Sequence, residues 1–222
     1  MAIKVVLLDF DGTLGDTQKL ITDTMLDTID VLGLEKRTRE ECAAMIGLPL
    51  KETFTGLIPM SDEMGDKCVE TYTEIFTRRN VPHAVLPFPH VIETIRELHR
   101  REVKLTIASS RHRGSLLNFI HEFELDDYIS AVVSAQDVEH CKPHPEMVEK
   151  TLAMFGVRPD EALMVGDARF DIQMGKAAGV HTCGVTYGNG SREDMMSVEA
   201  EHIIDDFADL LNVVESYDSY SL

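Results

Sequence analysis

The chain predicts a three-layer α/β fold, a mainly parallel sheet between helices, with a helical insertion directly after the first strand. Three observations predict it. Short continuous apolar runs recur along the chain, helical patterns separate most of them, and one stretch, 15–89, runs helix after helix with no strand signal. Continuous apolar runs suit strands buried on both faces of a parallel sheet. Their alternation with helices implies βαβ units with right-handed crossovers.

The elements follow in order. Val5–Leu8 is a strand of four apolar residues. In the insertion, Ile21, Met25, Ile29 and Leu32 share one helical face, as do Cys68, Tyr72, Ile75 and Phe76. Val81-Pro82-His83-Ala84-Val85-Leu86-Pro87-Phe88-Pro89 is Pro-rich, which ends helices and stiffens a return strap. A helix then carries Val91, Ile92, Ile95 and Leu98 and leads to the strand Val103–Ala108. The strand Ala131–Val133 precedes a helix with Met147, Val148, Thr151, Leu152 and Phe155, closed near Gly156. Ala162–Val165 and Thr182–Val185 are the remaining strands, with Gly179 placed to end the helix between them. The acidic segment from Glu199 to Asp209 reads as a solvated surface. The organisation is thus a discontinuous Rossmann-like core, 1–14 and 90–222, and a helical cap domain, 15–89.

Composition narrows the function. With 222 residues and 44% hydrophobic content, the chain can bury a full core. A formal net charge of −18 argues against nucleic acid or an anionic membrane as partner. Any anionic substrate must therefore be held locally, by a metal or a placed lysine. No apolar run approaches the roughly 18–20 residues that span a bilayer, and the N-terminus has no signal-peptide pattern. Cys42, Cys68, Cys141 and Cys183 are scattered, as free thiols in a reducing compartment would be, so a cytoplasmic chain is expected. Monomer and homodimer are equally compatible with the sequence.

The chemistry concentrates in Asp9-Phe10-Asp11-Gly12-Thr13-Leu14, just where the first strand ends. Side chains two apart in extended backbone share a face, so Asp9 and Asp11 aim into one small volume. Two buried anions that close are stable only if a cation compensates them or one holds a proton. Phosphoryl transfer through an aspartyl nucleophile requires both. Ser109 ends the second strand, Lys142 follows the third in Lys142-Pro143-His144-Pro145, and Asp167 and Asp171 follow the fourth in Gly166-Asp167-Ala168-Arg169-Phe170-Asp171. Singly, each has an ordinary reading as a cap, a solvated loop residue or a turn. Together they fall at strand C-terminal ends, the ligand edge of such a sheet, and would converge on one cavity.

Those segments, in that order, resemble the four motifs of the haloacid dehalogenase (HAD) superfamily. The insertion resembles the superfamily's cap after motif one. Met45-Ile46-Gly47-Leu48-Pro49-Leu50 resembles the cap loop of phosphoglycolate phosphatase and beta-phosphoglucomutase-like members, and Val185-Thr186-Tyr187-Gly188 their last core strand. The resemblance implies Asp9 as nucleophile, Asp11 as general acid and base, and Mg2+ bound by Asp9, Asp11 and Asp167, with Asp171 orienting Lys142 or joining the metal shell. It implies Ser109, Ser110 and Lys142, with Asp9 and Asp11, around the phosphoryl group. Gly47 and Lys51 are the candidate cap determinants of specificity. A second aspartate argues for a phosphorylated substrate, because organic halides need no proton donor.

The expected activity is Mg2+-dependent hydrolysis of a small phosphorylated metabolite: phosphoglycolate, pyrophosphate or a sugar phosphate. A phosphosugar mutase is the alternative, although Gly47-Leu48-Pro49-Leu50-Lys51 lacks the arginine that would grip a second phosphate. A phospho-accepting signalling domain is more distant. Two features are left without a role, the histidines with no metal-ligand spacing and Gly188-Asn189-Gly190-Ser191 as a loop. Arg111, His112 and Arg113, with Lys51, are substrate-recognition candidates at the cavity rim, each read as solvated.

Overall fold

The computed structural model describes residues 2–218. β1 (Val5–Leu8) leads into four helices: α1 (Gln18–Val31), α2 (Arg39–Ala43), α3 (Leu50–Leu57) and α4 (Asp62–Arg79). The chain returns through α5 (Val91–Arg100), β2 (Lys104–Ser109), α6 (Arg113–Glu122) and β3 (Ile129–Ser134). It continues through α7 (Glu146–Phe155), β4 (Ala162–Gly166), α8 (Arg169–Ala177) and β5 (His181–Val185). α9 (Arg192–Ser197), β6 (His202–Ile204) and α10 (Leu210–Asp218) close it. The six strands form one sheet in the order β3-β2-β1-β4-β5-β6, every neighbouring pair parallel. The fold is α/β and Rossmann-like, as the sequence predicts.

The alternation of strand side chains builds the three layers. Val6 and Leu8 of β1 pack on one face with Ile95 and Leu98 of α5 and Phe119 of α6. Val5 and Leu7 pack on the other with Met147 and Val148 of α7 and Met174 of α8. β1 is buried at every residue because β2 and β4 flank it and helices cover both faces. Leu8 lies level with Ile107 on one side and Val165 on the other, so β1, β2 and β4 end within two residues of one level.

The acidic segment from Glu199 to Asp209 departs from its reading as solvated surface. It holds β6, and Ile204 and Phe207 are buried. Three residues paired to β5 (Cys183 to His202, Val185 to Ile204) are too short a run to stand out among acidic neighbours. The last strand is therefore β6, not the stretch from Val185 to Gly188.

In α1 and α4 the predicted apolar faces are the buried ones: Ile21, Met25 and Ile29 on α1, Cys68, Tyr72, Ile75 and Phe76 on α4. Leu32, predicted with the α1 face, lies just past the helix end and is half-buried. Ser61 starts α4 by accepting the Met64 N–H, and Arg78 and Arg79 complement the carbonyl end. Outgoing and returning segments are stitched together: Asp16 N–H donates to the Leu86 carbonyl at 2.9 Å and Phe88 N–H to the Leu14 carbonyl at 3.0 Å. Among the described residues no helix is long and apolar enough to cross a membrane.

Candidate active site

Because β1, β2 and β4 end close to one level, the residues just past them meet. Asp9 is tied there by its N–H to the Val165 carbonyl at 2.9 Å. Lys142, after β3, is 1% exposed and Asp9 3%, and a lysine that dry must be paired. Its ammonium donates to Asp9 Oδ1 and lies 2.7 Å from Asp171 Oδ1. Asp171 sits in the first turn of α8, where its Oδ2 accepts the Ala168 N–H at 3.0 Å. Asp167 Oδ2 accepts from Asn189 N–H at 2.6 Å and Asn189 Nδ2 at 2.8 Å, while Oδ1 accepts the Thr13 hydroxyl at 3.2 Å.

One carboxylate oxygen each from Asp9, Asp167 and Asp171 lie within 4.8 Å of one another. Three buried carboxylates face one ammonium, which leaves two negative charges without a partner. An all-oxygen donor set short of two positive charges fits a hard divalent cation. The electrostatics of these groups follow from the same deficit. Burial pushes Asp9 well above the usual carboxylate range; Lys142 opposes the shift and Asp171, Asp167 and Asp11 add to it. Burial, with the charge of Asp171, pushes Asp167 up to about 7 against the Asn189 hydrogen bonds. Desolvation would lower Lys142, but Asp171 and Asp9 outweigh it and its pKa rises.

Asp11 turns to a different partner. Its Oδ1 accepts from Arg111 Nη2 at 2.6 Å, and Arg111 Nε reaches Oδ1 at 3.1 Å and Oδ2 at 3.0 Å. Arg111 is not a solvated rim residue: its side chain is 9% exposed and lies over Phe76 of α4 at 5.1 Å and Phe119 of α6 at 5.2 Å. The aromatic faces and the carboxylate replace the water it gave up. No spacing in the sequence signals this, since the partner is 100 residues away.

Ser109 is buried and its hydroxyl accepts the Arg111 N–H at 3.2 Å. The Ser110 hydroxyl donates to the Gly47 carbonyl at 2.7 Å, tying the strand end to the loop before α3. These residues line a cavity of about 760 Å3, walled on the other side by Gly47, Leu48, Lys51, Tyr72 and Phe76. Lys51 lines it, but its ammonium pairs with Asp62 and Asp66, each at 2.7 Å.

Asn189 had no role assigned from sequence. A side chain at Gly188 would meet the Gly12 carbonyl at 2.1 Å, so the loop after β5 can reach Asp167 only because residue 188 is glycine. The Gly-Asn-Gly pattern carried that signal. A second cluster, His140, His144 and Glu146, also forms around the Lys142 loop. Glu146 is saturated there, accepting the N–H groups of Glu139 at 3.0 Å and His140 at 2.9 Å and pairing with Lys150 at 3.0 Å. It caps the loop that presents Lys142.

Known proteins resemble this chain over nearly its whole length. The model of the haloacid dehalogenase-like hydrolase family matches residues 6–185. Pyrophosphatase PpaX of Anoxybacillus flavithermus is 36% identical over 214 residues, 96% of this chain and 98% of that protein. Pyrophosphatase PpaX of Halalkalibacterium halodurans is 34% identical over 217 residues, 96% of this chain and 98% of that protein. A hydrolase of Pseudomonas syringae shares the fold with a TM-score of 0.86 at 22% identity, covering 96% of this chain and 98% of its own.

Proposed function

This chain belongs to the haloacid dehalogenase-like hydrolase family, and from that premise we propose a Mg2+-dependent phosphohydrolase acting on a small phosphorylated metabolite. Pyrophosphate, which the names of the PpaX relatives point to, phosphoglycolate and small sugar phosphates are the candidate substrates. The observation that carries the reading is the buried Asp9–Lys142–Asp171–Asp167 cluster, two positive charges short, which meets the cavity at Asp9.

In the proposed chemistry an Asp9 carboxylate oxygen attacks phosphorus. The bridging P–O bond breaks, its electron pair stays on the leaving oxygen, and Asp11, which must enter this step as the carboxylic acid, gives that oxygen its proton. Asp11 then takes a proton from water as the water oxygen attacks the aspartyl-phosphate, which frees Asp9 and releases phosphate. Lys142 and Ser109, with Ser110 and the backbone N–H groups of this loop, hold the nonbridging oxygens. Asp171 holds the Lys142 ammonium in place, and Asn189 and Thr13 fix Asp167. Mg2+ on Asp9, the Asp11 carbonyl and Asp167 would supply Lewis-acid stabilisation of the phosphoryl charge. Residues 15–89 would act as the cap that excludes water.

Lys51, spent on Asp62 and Asp66, is poorly placed to grip a second phosphate, which favours net hydrolysis over a mutase. The test is phosphate release across a metabolite panel with Mg2+, ranked by kcat/KM, for wild type and Asp9→Asn. The asparagine variant should lose about 10³-fold or more. Inertness toward every compound, or wild-type turnover in the variant, would remove the proposal.

A further inference from the structure

We propose that Arg111 is the specificity-determining residue of this site, and that it selects substrates whose leaving group carries its own anionic group, inorganic pyrophosphate being the simplest. The inference rests on the phosphohydrolase reading above and adds to it the class of leaving group and the residue that recognises it.

Position comes first. Arg111 lines the same cavity as Asp9 and is bonded to Asp11, the residue placed to protonate the leaving oxygen. It therefore stands on the leaving-group side, whereas Lys142 stands on the phosphoryl side with Asp9. An anion attached to the leaving oxygen would arrive beside the guanidinium.

Donor capacity comes second. A guanidinium carries five N–H donors in a rigid fork. Nε is shared between the two Asp11 oxygens, Nη2 gives one bond to Asp11 Oδ1, and Nη1 gives one to the Ser115 hydroxyl at 3.0 Å. One N–H on each terminal nitrogen is left over. Two parallel donors suit two oxygens of a phosphate or carboxylate.

Preorganisation comes third. Phe76 and Phe119 sandwich the guanidinium and Ser115 fixes one edge, so it is aimed before any ligand arrives and loses little entropy on binding. Among the described residues that line the cavity Arg111 is the only arginine, and Asn80, His112, Asn118 and Gln136 carry no fixed positive charge. Lys51 is already paired with two aspartates, and Leu48, Tyr72 and Phe76 are apolar or aromatic. A substrate with an uncharged leaving group would meet Arg111 with nothing to give it.

The experiment compares kcat/KM for pyrophosphate and for p-nitrophenyl phosphate, at fixed free Mg2+, in wild type, Arg111→Met and Arg111→Lys. Loss of the Asp11 partner weighs more on a basic leaving group, so ethyl phosphate, whose leaving group is basic but uncharged, is run beside them. The fall on pyrophosphate beyond that on ethyl phosphate is the readout. An ethyl phosphate loss as large as the pyrophosphate loss would be the Asp11 effect alone and would overturn the inference. In Arg111→Met the pyrophosphate preference should fall by about 10–100-fold, the worth of charge-assisted hydrogen bonds. Arg111→Lys keeps the charge without the fork and should lie between. Equal losses on all three substrates in a folded Met variant would likewise overturn it and leave Arg111 a structural partner of Asp11. Should the Met variant not fold, an unchanged ratio of pyrophosphate to ethyl phosphate turnover in Arg111→Lys would overturn it too. Wild type inactive on these compounds and on every other phosphorylated compound would instead defeat the phosphohydrolase reading beneath it.

Discussion

Replacing Lys142 with methionine tests the charge ledger of the site directly. The side chain is fully buried between the buried carboxylates of Asp9 and Asp171. At 2.7 Å from Asp171 the attraction is about 6 kcal/mol at an effective dielectric of ~20. Much of that repays the desolvation of the ammonium. The net cost of removing one partner from a buried ion pair is about 3–5 kcal/mol, because the other charges stay buried. Methionine is of similar length and leaves no large void, so packing adds little. For a chain of this size each kcal/mol moves Tm by about 2–4 °C, which predicts a fall of about 6–20 °C. The assay is thermal unfolding followed by circular dichroism in metal-free buffer, repeated with saturating Mg2+. A bound cation supplies some of the missing positive charge, so the gap should narrow with Mg2+. A variant melting within about 2 °C of wild type without metal would show that the carboxylates do not depend on Lys142.

Asn189→Ala deletes a side-chain hydrogen bond of 2.8 Å to Asp167 and should weaken Mg2+ binding about 10-fold or more, measured by calorimetry; an unchanged Kd would separate Asn189 from the metal site. Mg2+ binding near pH 6 should release protons. Asp167 is pushed from an ordinary 3.8 up to about 7, so between those values the metal-free fold holds a proton that the unfolded chain does not. The metal-free protein accordingly loses this increment of stability as pH rises through the window, and the cation restores it by displacing the proton. Calorimetry in buffers of different ionisation enthalpy reads the release directly, and buffer-independent heats would contradict it.

The parts legible in the sequence were those fixed by local pattern. Apolar runs located five strands because a doubly covered sheet is filled mainly by apolar side chains, with few polar ones such as Thr106 and Thr182 buried among them. β1 spans Val5–Leu8 as read. Position at strand ends singled out Asp9, Ser109, Lys142, Asp167 and Asp171, and the fold draws all of them to one edge of the sheet. β6 was lost because it is three residues long and relies on pairing with β5 rather than on its own composition. Arg111 was read only as a solvated rim candidate, and Asn189 was lost, for a related reason. Their partners, Asp11 and Asp167, are 100 and 22 residues away, and neither contact has a periodicity to announce it. Arginine beside serine reads as solvated until Phe76 and Phe119 are seen to flank it.

Gly12 and Gly188 face each other backbone to backbone. Gly12 holds φ at +89° with Asp167 Oδ2 where its Cβ would be, 2.1 Å away, and Gly188 lies against the Gly12 carbonyl in the same manner. The floor beneath Asp167 is thus made of main chain, which has no rotamers to retune and accepts no substitution at either glycine without displacing the carboxylate. The opposite wall is made of replaceable side chains such as Leu48, Tyr72 and Phe76. An engineer seeking a new substrate preference therefore has one permissive surface and one forbidden surface, and libraries belong on the first.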